Sequence, residues 1–191
     1  AVRLLRALVD VIASAGWLEP AISAMELCQL IVQGMWDTDP TVAQLPHLEK
    51  DHLSVLQKMY DVKTVDALLE MDEQDRTKAF SKLSRGQVNE IAAACNSFPD
   101  LKQISAVPAD DEVAPGARVF VHVVLERDSD ENDDIVPAFP FVTAPRYPTR
   151  KEEGWWIVVG DPTSNTLLSL KYVALSKRAR VKLEITAPLV P

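Results

Sequence analysis

The residues of this chain that could perform chemistry are its histidines, its cysteines and a run of carboxylates, and none of them has the spacing of a recognised site. His47 and His52 lie five positions apart across an expected helix start, which is poor spacing for two ligands of one metal. Cys28 and Cys95 lie on apolar helical stretches, where two buried free thiols are a better expectation than a disulfide. We therefore expect no catalytic residue and no metal site.

An acidic run covers residues 128–134. It could bind calcium, but it lacks the glycine turn and the terminal glutamate of an EF-hand loop. A solvated loop is the interpretation that we favour. Because prolines follow it, we expect one long irregular loop over residues 126–150.

Phosphate-binding and nucleophile motifs are absent from the 191 residues. There is no G-x-x-x-x-G-K-S/T loop and no G-x-G-x-x-G turn, so we expect no nucleotide hydrolysis by this chain. The G-x-S-x-G elbow is missing as well. No run of about 18 apolar residues exists that could span a membrane. These absences favour a binding or scaffolding module over an enzyme.

One basic cluster stands out in a chain whose net charge is −8. It could contact RNA or an acidic partner. The alternative, which we favour on composition alone, is an exposed face of edge strands, where cations discourage pairing between sheets. Its members are Lys171, Lys177, Arg178, Arg180 and Lys182.

Two adjacent tryptophans, Trp155 and Trp156, lie in an expected strand and must therefore face opposite sides of a sheet. We expect one indole to be part of the core. The other is either covered by the preceding loop or exposed to a partner, in which case it would be a strong interface anchor.

The elements that position these residues change character near residue 105: helical spacing of apolar residues precedes it, and alternation follows. The first helix is expected to bury Leu4, Leu5, Leu8, Val9 and Ile12, which leaves the charged residues at 3, 6 and 10 off the apolar stripe. Glycine at 16 can end this helix, and proline at 20 can begin a second helix that runs to residue 36, buried in a bundle.

Short capped helices are expected between residues 45 and 98, with Thr64, Asp72 and Ser84 as N-caps. Ser84 and Gln87 form a capping box. Strands are expected at 118–125, 155–159, 167–173 and 181–185, of which the second and third form a hairpin. We therefore predict an α+β fold in which helices precede an antiparallel β-sandwich. Because the four expected strands fall short of the usual number of about seven, either further strands are missed or the chain stops before the sandwich is complete.

Several stretches resemble the C-terminal module of the Ski2-like nucleic-acid helicases, which is named after the Sec63 translocon subunit. The resemblance covers most of the chain, and the loop over 128–148 departs from it as an insertion. It is carried by Ala7 to Trp17, Ala24 to Leu27, Gly34 to Trp36, Gln44 to His47, Cys95 to Pro99, Lys151 to Asp161, and Ser169 to Pro188.

This resemblance implies the end of a helical bundle with a ratchet-type helix over 1–40, a helix-loop-helix domain over 41–105 and an immunoglobulin-like β-sandwich over 106–191. Because the chain starts with alanine and would end before the last strands, we expect it to be part of a longer polypeptide. Residues aligned with the ratchet-type helix would contact nucleic acid, namely Arg3, Arg6 and Asp10. Residues of the sandwich would bind partners, namely Trp155, Trp156, Lys177, Arg178 and Arg180.

The run from Lys151 to Asp161 is similar to the second cassette of the spliceosomal members of this family. That cassette implies a nuclear, non-catalytic module that regulates U4/U6 RNA unwinding and docks splicing factors. Its expected partners are splicing factors, the rest of the helicase polypeptide and RNA, with no membrane. ATP and magnesium are implied only for motor domains outside this chain. Members of the activating-signal-cointegrator type and the translocon subunit remain alternatives.

Overall fold

The computed structural model describes residues 2–99, 101–108, 113–127 and 141–187. The chain forms two compact units that interleave along the sequence. Unit 1 comprises the described parts of Ala1–Cys28, Pro99–Phe141 and Glu152–Pro191, and unit 2 comprises Gln29–Phe98 and Val142–Lys151. The three-domain division predicted from the sequence stays a prediction.

Six α-helices and five strands follow one another along the described chain, which confirms the α+β class. The helices are α1 (Val2–Ser14), α2 (Leu18–Gln33), α3 (Lys50–Tyr60), α4 (Val65–Glu70), α5 (Glu73–Ala79) and α6 (Arg85–Asn96), with a 3-10 turn at Thr41–Gln44. The strands are β1 (Leu101–Pro108), β2 (Arg118–Arg127), β3 (Trp155–Asp161), β4 (Thr166–Val173) and β5 (Arg178–Thr186).

The strands of unit 1 form two antiparallel sheets. One has the order β1-β2-β5, and the other is the β3-β4 hairpin. In the first sheet, Val123 lies opposite Val181, and His122 lies opposite Lys182. Because side chains alternate along a strand, Val119, Val123 and Leu125 all face the buried side.

Unit 1 is layered around the β3-β4 hairpin. One face of the hairpin packs against α1 and the start of α2, through Val9, Ala21 and Met25 of the helices. The other face packs against the three-stranded sheet, with Leu175 fully buried between them. The hairpin is therefore apolar on both faces, which explains its nearly continuous hydrophobic sequence.

Unit 2 has its own core, built by the short helices. Leu45, Leu48, Leu56 and Leu68 are its most completely buried leucines. Burial of these side chains stabilises helices of six to twelve residues, which would be marginal in isolation. The caps predicted from the sequence are present: Thr64 accepts from the Ala67 amide, and the capping box at the start of α6 is complete.

Several local predictions are confirmed, and others are wrong. Gly16 has φ +76° and ends the first helical segment as expected, and Pro20 lies in the first turn of α2. Asp72 is an N-cap residue without a side-chain hydrogen bond. Strand β1 was not predicted. The expectation that α2 is buried on most faces is wrong, since Leu27 is 45% exposed.

Part of the predicted loop over 126–150, including the acidic run, lies outside the described residues. Among the described residues, no helix is long and apolar enough to cross a lipid bilayer.

Candidate partner interface

Helix α1 is attached to the β3-β4 hairpin by a cation-aromatic contact. The Arg6 guanidinium carbon lies 4.2 Å from the centre of the Tyr172 ring and 6.0 Å from that of Trp156. Arg6 also donates a hydrogen bond from Nη2 to the Tyr172 hydroxyl. The two rings meet edge to face, with centres 5.1 Å apart. We call Arg6, Trp156 and Tyr172 the arginine-aromatic clamp.

The buried face of α1 differs from the predicted apolar stripe, because it includes Arg6 of the clamp. Val2, Leu5, Arg6, Val9 and Ile12 are all wholly or partly buried, and their spacing is that of one helical stripe. Arg6 therefore lies on the buried stripe. The prediction that it lies off the stripe is wrong. Arginine can take this position because its stem packs on apolar surface while its planar head stacks on aromatic rings.

The other candidate contacts of α1 are exposed to solvent. Arg3 and Asp10 are both exposed, as expected for residues off the stripe. The predicted burial of Leu4 and Leu8 is wrong, because their side chains are 76% and 45% exposed. The physical reason is the clamp, which turns Arg6 and Val9 toward the hairpin and so turns Leu4 and Leu8 away from it.

Gly154 makes the clamp possible. A Cβ at this position would overlap the hydroxyl group of Tyr172. The absence of a side chain there therefore leaves room for the hydroxyl end of the Tyr172 ring, which contacts Arg6.

Trp155 faces the opposite side of the hairpin from Trp156, as the alternation predicted. Its Nε1 donates a hydrogen bond to Glu153 Oε1 at 2.6 Å, and the same carboxylate forms an ion pair with Arg127. The side chains of Arg127 and Glu153 are only 11% and 10% exposed. This buried pair joins β2 to the start of β3, and sequence reasoning missed it because 26 positions separate the partners.

Neither of the adjacent indoles is an exposed anchor, since both are partly buried. Trp156 packs with buried residues of α1 and the start of α2, whereas the prediction was either a cover by the preceding loop or exposure to a partner. The structure therefore gives both tryptophans contacts inside unit 1. Their predicted role in partner binding stays a prediction.

The solvent side of the three-stranded sheet carries most of the predicted basic cluster. We call this surface the outer sheet face. Arg178 lies 3.5 Å from Glu126, Arg118 lies 2.9 Å from Glu184, and all four side chains are well exposed. The face consists of Arg118, Phe120, His122, Val124 and Glu126 of β2 with Arg178, Arg180, Lys182 and Glu184 of β5.

Two lysines of the predicted cluster lie off this face. Lys177 precedes β5, and its carbonyl oxygen accepts a hydrogen bond from the Arg127 amide at 2.9 Å. Lys171 is an exposed residue of β4, in the other sheet. The structure therefore brings together Arg178, Arg180 and Lys182, and separates them from the other two cations.

A groove of about 650 Å³ lies in unit 2, beside Trp36. Trp36 is 78% exposed. The aliphatic part of Arg146 packs close to Gly34, where an added Cβ would lie 3.2 Å from it. This indole was not among the predicted contacts, although a tryptophan two positions after a helix-ending glycine was a usable signal.

Both cysteines are buried and free, as predicted. Burial raises the pKa of the Cys28 thiol, and the positive charge of Arg6 partly opposes this shift. Burial also raises the pKa of Cys95, against the opposing charge of Arg76. Raised pKa values disfavour the reactive thiolate. Within the described residues, no group of three or more His, Cys, Asp or Glu side chains could hold a metal ion.

Comparison with known proteins gives one family. The family model described as the Sec63 Brl domain matches residues 1–191. The DExH-box ATP-dependent RNA helicase DExH12 of Arabidopsis thaliana is 43% identical over 193 residues, which cover 100% of this chain and 9% of that relative.

Two further relatives match almost the whole chain. The U5 small nuclear ribonucleoprotein 200 kDa helicase of Homo sapiens is 38% identical, with 98% of this chain and 8% of the relative covered. An activating signal cointegrator 1 complex subunit 3-like protein of Dictyostelium discoideum is 36% identical, with 100% of this chain and 9% of the relative covered. The chain thus spans less than a tenth of the length of these relatives.

Proposed function

Because the chain belongs to the Sec63 Brl domain family of the Ski2-like helicases, we propose that it is an accessory, non-catalytic module of a pre-mRNA-splicing RNA helicase. In this role it docks splicing factors and regulates the unwinding of the U4/U6 RNA duplex by the motor domains of the same polypeptide. Its place of action is the nucleus.

The observation that carries this proposal is the similarity to the U5 small nuclear ribonucleoprotein 200 kDa helicase, which extends over 98% of the chain. Such a relative implies that the rest of a helicase polypeptide is the first partner of this module. Its surface then remains available for additional proteins.

The non-catalytic part of the proposal rests on the sequence. Hydrolysis of ATP needs a loop of backbone amides with a lysine for the phosphates and a hydroxyl for magnesium, and no such motif occurs here. The residues of this chain therefore do not fit ATP and magnesium. Their binding belongs to motor domains outside the chain.

Direct RNA contact through α1 is the weaker candidate. Of its two arginines, Arg6 is committed to the arginine-aromatic clamp, and only Arg3 is exposed. Asp10, also exposed, would repel phosphates. A single free cation on this helix supports little affinity for a phosphate backbone.

The test is a pull-down from nuclear extract with the tagged chain, with and without ribonuclease, followed by mass spectrometry. We expect recovery of splicing factors that resists ribonuclease. Recovery of ribosome-rescue or translocon components would place the module in another pathway. Recovery lost on ribonuclease treatment would favour RNA contact, and hydrolysis of ATP by the isolated chain would refute the non-catalytic assignment.

A further inference from the structure

The outer sheet face carries a surplus of positive charge on a chain whose net charge is −8. Two of its four cations have carboxylate partners on the same face, since Arg118 pairs with Glu184 and Arg178 pairs with Glu126. Arg180 and Lys182 are exposed, and no ion pair joins either to a carboxylate of the described residues. The surplus positive charge of this face therefore lies at two neighbouring positions on the same side of β5, Arg180 and Lys182.

The surroundings of these two cations are suited to a contact surface. In the register, Arg180 lies opposite Val124, and Lys182 lies opposite the exposed His122. Lys182 Nζ lies 3.5 Å from the centre of the Phe120 ring, which holds the lysine close to the sheet. A partner here would meet fixed charge beside half-buried apolar surface.

We propose that the outer sheet face, centred on Arg180 and Lys182, binds an acidic, extended segment of a partner protein. This inference rests on the proposed docking function and names the surface and the chemistry of the occupant. Charge complementarity argues for the acidic character, because carboxylates of a partner would neutralise Arg180 and Lys182, which form no ion pair with the described residues.

The spacing of the cations argues for an extended segment. Arg178, Arg180 and Lys182 occupy alternate positions of β5, so they point to the same side at intervals of about 6.8 Å. Carboxylates at alternate positions of an extended peptide repeat at the same interval. Arginine at the centre adds bidentate hydrogen bonding to a carboxylate, which a lysine cannot supply.

A protein segment fits this face better than RNA. Proteins that bind a phosphate backbone can make about six to ten phosphate contacts, whereas two cations of this face lack an ion pair within the described part of the chain. Single-stranded RNA binds by stacking bases on open aromatic rings, but Lys182 already lies over the Phe120 ring.

Fluorescence anisotropy with two labelled probes tests the proposal. One probe is a twelve-residue peptide of alternating glutamate and serine, and the other is a twelve-nucleotide single-stranded RNA. We expect the peptide to bind more tightly than the RNA, and Arg180→Glu to weaken peptide binding by about tenfold. Lys58→Glu, an exposed lysine of α3 with the same change in charge, is the matched control and should weaken it by less than about twofold.

Three outcomes would overturn the proposal: no binding of the peptide, equal loss in Arg180→Glu and Lys58→Glu, or tighter binding of the RNA. Circular dichroism of both variants checks that they fold. Arg180→Lys serves as a second variant, for which we expect intermediate affinity because the charge is kept and the bidentate geometry is lost.

The same variant separates this inference from the proposed function. If nuclear extract yields splicing factors with the wild-type chain and equally with Arg180→Glu, the docking function stands and the outer sheet face is the wrong surface. If the wild-type chain yields none while the peptide still binds at Arg180, the surface stands and the splicing assignment fails.

Discussion

The interior of unit 1 and its outer sheet face both use arginine, but for opposite purposes. In the interior, Arg127 forms an ion pair at about a tenth exposure, and at the edge of the same unit the partly buried Arg6 stacks on Tyr172, which is 40% exposed. On the outer face, Arg118 and Arg178 form exposed pairs, and Arg180 has none among the described residues. The surroundings of a cation, and not its residue type, therefore separate a structural role from the proposed docking role.

The largest difference is expected between two ion pairs of β2. Arg127→Ala should lower the free energy of unfolding by about 3–5 kcal/mol, because it removes the guanidinium from a buried Glu153 carboxylate, which keeps its hydrogen bond from the Trp155 indole. Arg118→Ala removes an exposed pair and should cost about 0–1 kcal/mol. Chemical denaturation measures both, and equal losses would erase the distinction between the interior and the outer face.

Gly154→Ala should destabilise the chain by about 1–3 kcal/mol, because the added methyl group displaces the Tyr172 ring from the arginine-aromatic clamp. Gly86→Ala, in the exposed first turn of α6, is the control and should be neutral or stabilising. When Gly154→Ala is combined with Arg6→Ala, the total loss of stability should be smaller than the sum of the two single losses, because both changes disrupt the same contact. Strict additivity in a double-mutant cycle would show that Gly154 and the clamp are independent.

Arg6→Ala should cost about 1–2 kcal/mol through the lost cation-aromatic contact and hydrogen bond. Arg3→Ala, on the exposed side of the same helix, should change the stability by less than about 0.5 kcal/mol. Thermal unfolding compares the two. An unchanged midpoint for Arg6→Ala would return this residue to the list of free surface contacts.

The smallest effect is expected at the thiols. Because burial raises the pKa of Cys28 and Cys95, the folded chain keeps them protonated at neutral pH, and a disulfide reagent should react about tenfold more slowly than in denaturant. The free energy of unfolding should therefore fall with rising pH: the contribution of the protonated thiols is fully present below their pKa in the unfolded chain and is lost as the pH rises through their raised pKa in the folded chain. Fast reaction of the folded chain at pH 7 would show that this interior is open.

Local features of the fold were predictable from the sequence, since their physics is local. The Thr64 cap, the capping box at Ser84 and the left-handed Gly16 depend on neighbouring residues and are confirmed. The β3-β4 hairpin was also predictable, because two apolar runs flank a turn. The α+β class followed from the change in periodicity.

Features that depend on contacts distant in sequence were not predictable. Arg6 and Tyr172 are 166 positions apart, so the residues near Arg6 in the sequence do not indicate that an aromatic ring packs on it. The same distance problem hid the pairing of Arg127 with Glu153. Among the candidate contacts, the basic cluster was recognisable from the sequence. The register of β2 and β5 was needed to show that Arg180 lies on the outer sheet face and that Lys177 lies off it.

The most direct test of this division of roles is chemical denaturation of Arg6→Ala and Arg180→Ala, each with and without the alternating glutamate-serine peptide. The peptide stabilises only a folded chain that binds it, so both properties are read from one experiment. We predict that Arg6→Ala lowers the stability and keeps the peptide-induced gain, whereas Arg180→Ala keeps the stability and loses most of that gain. The reverse pattern, or the same loss of both properties in both variants, would contradict the account.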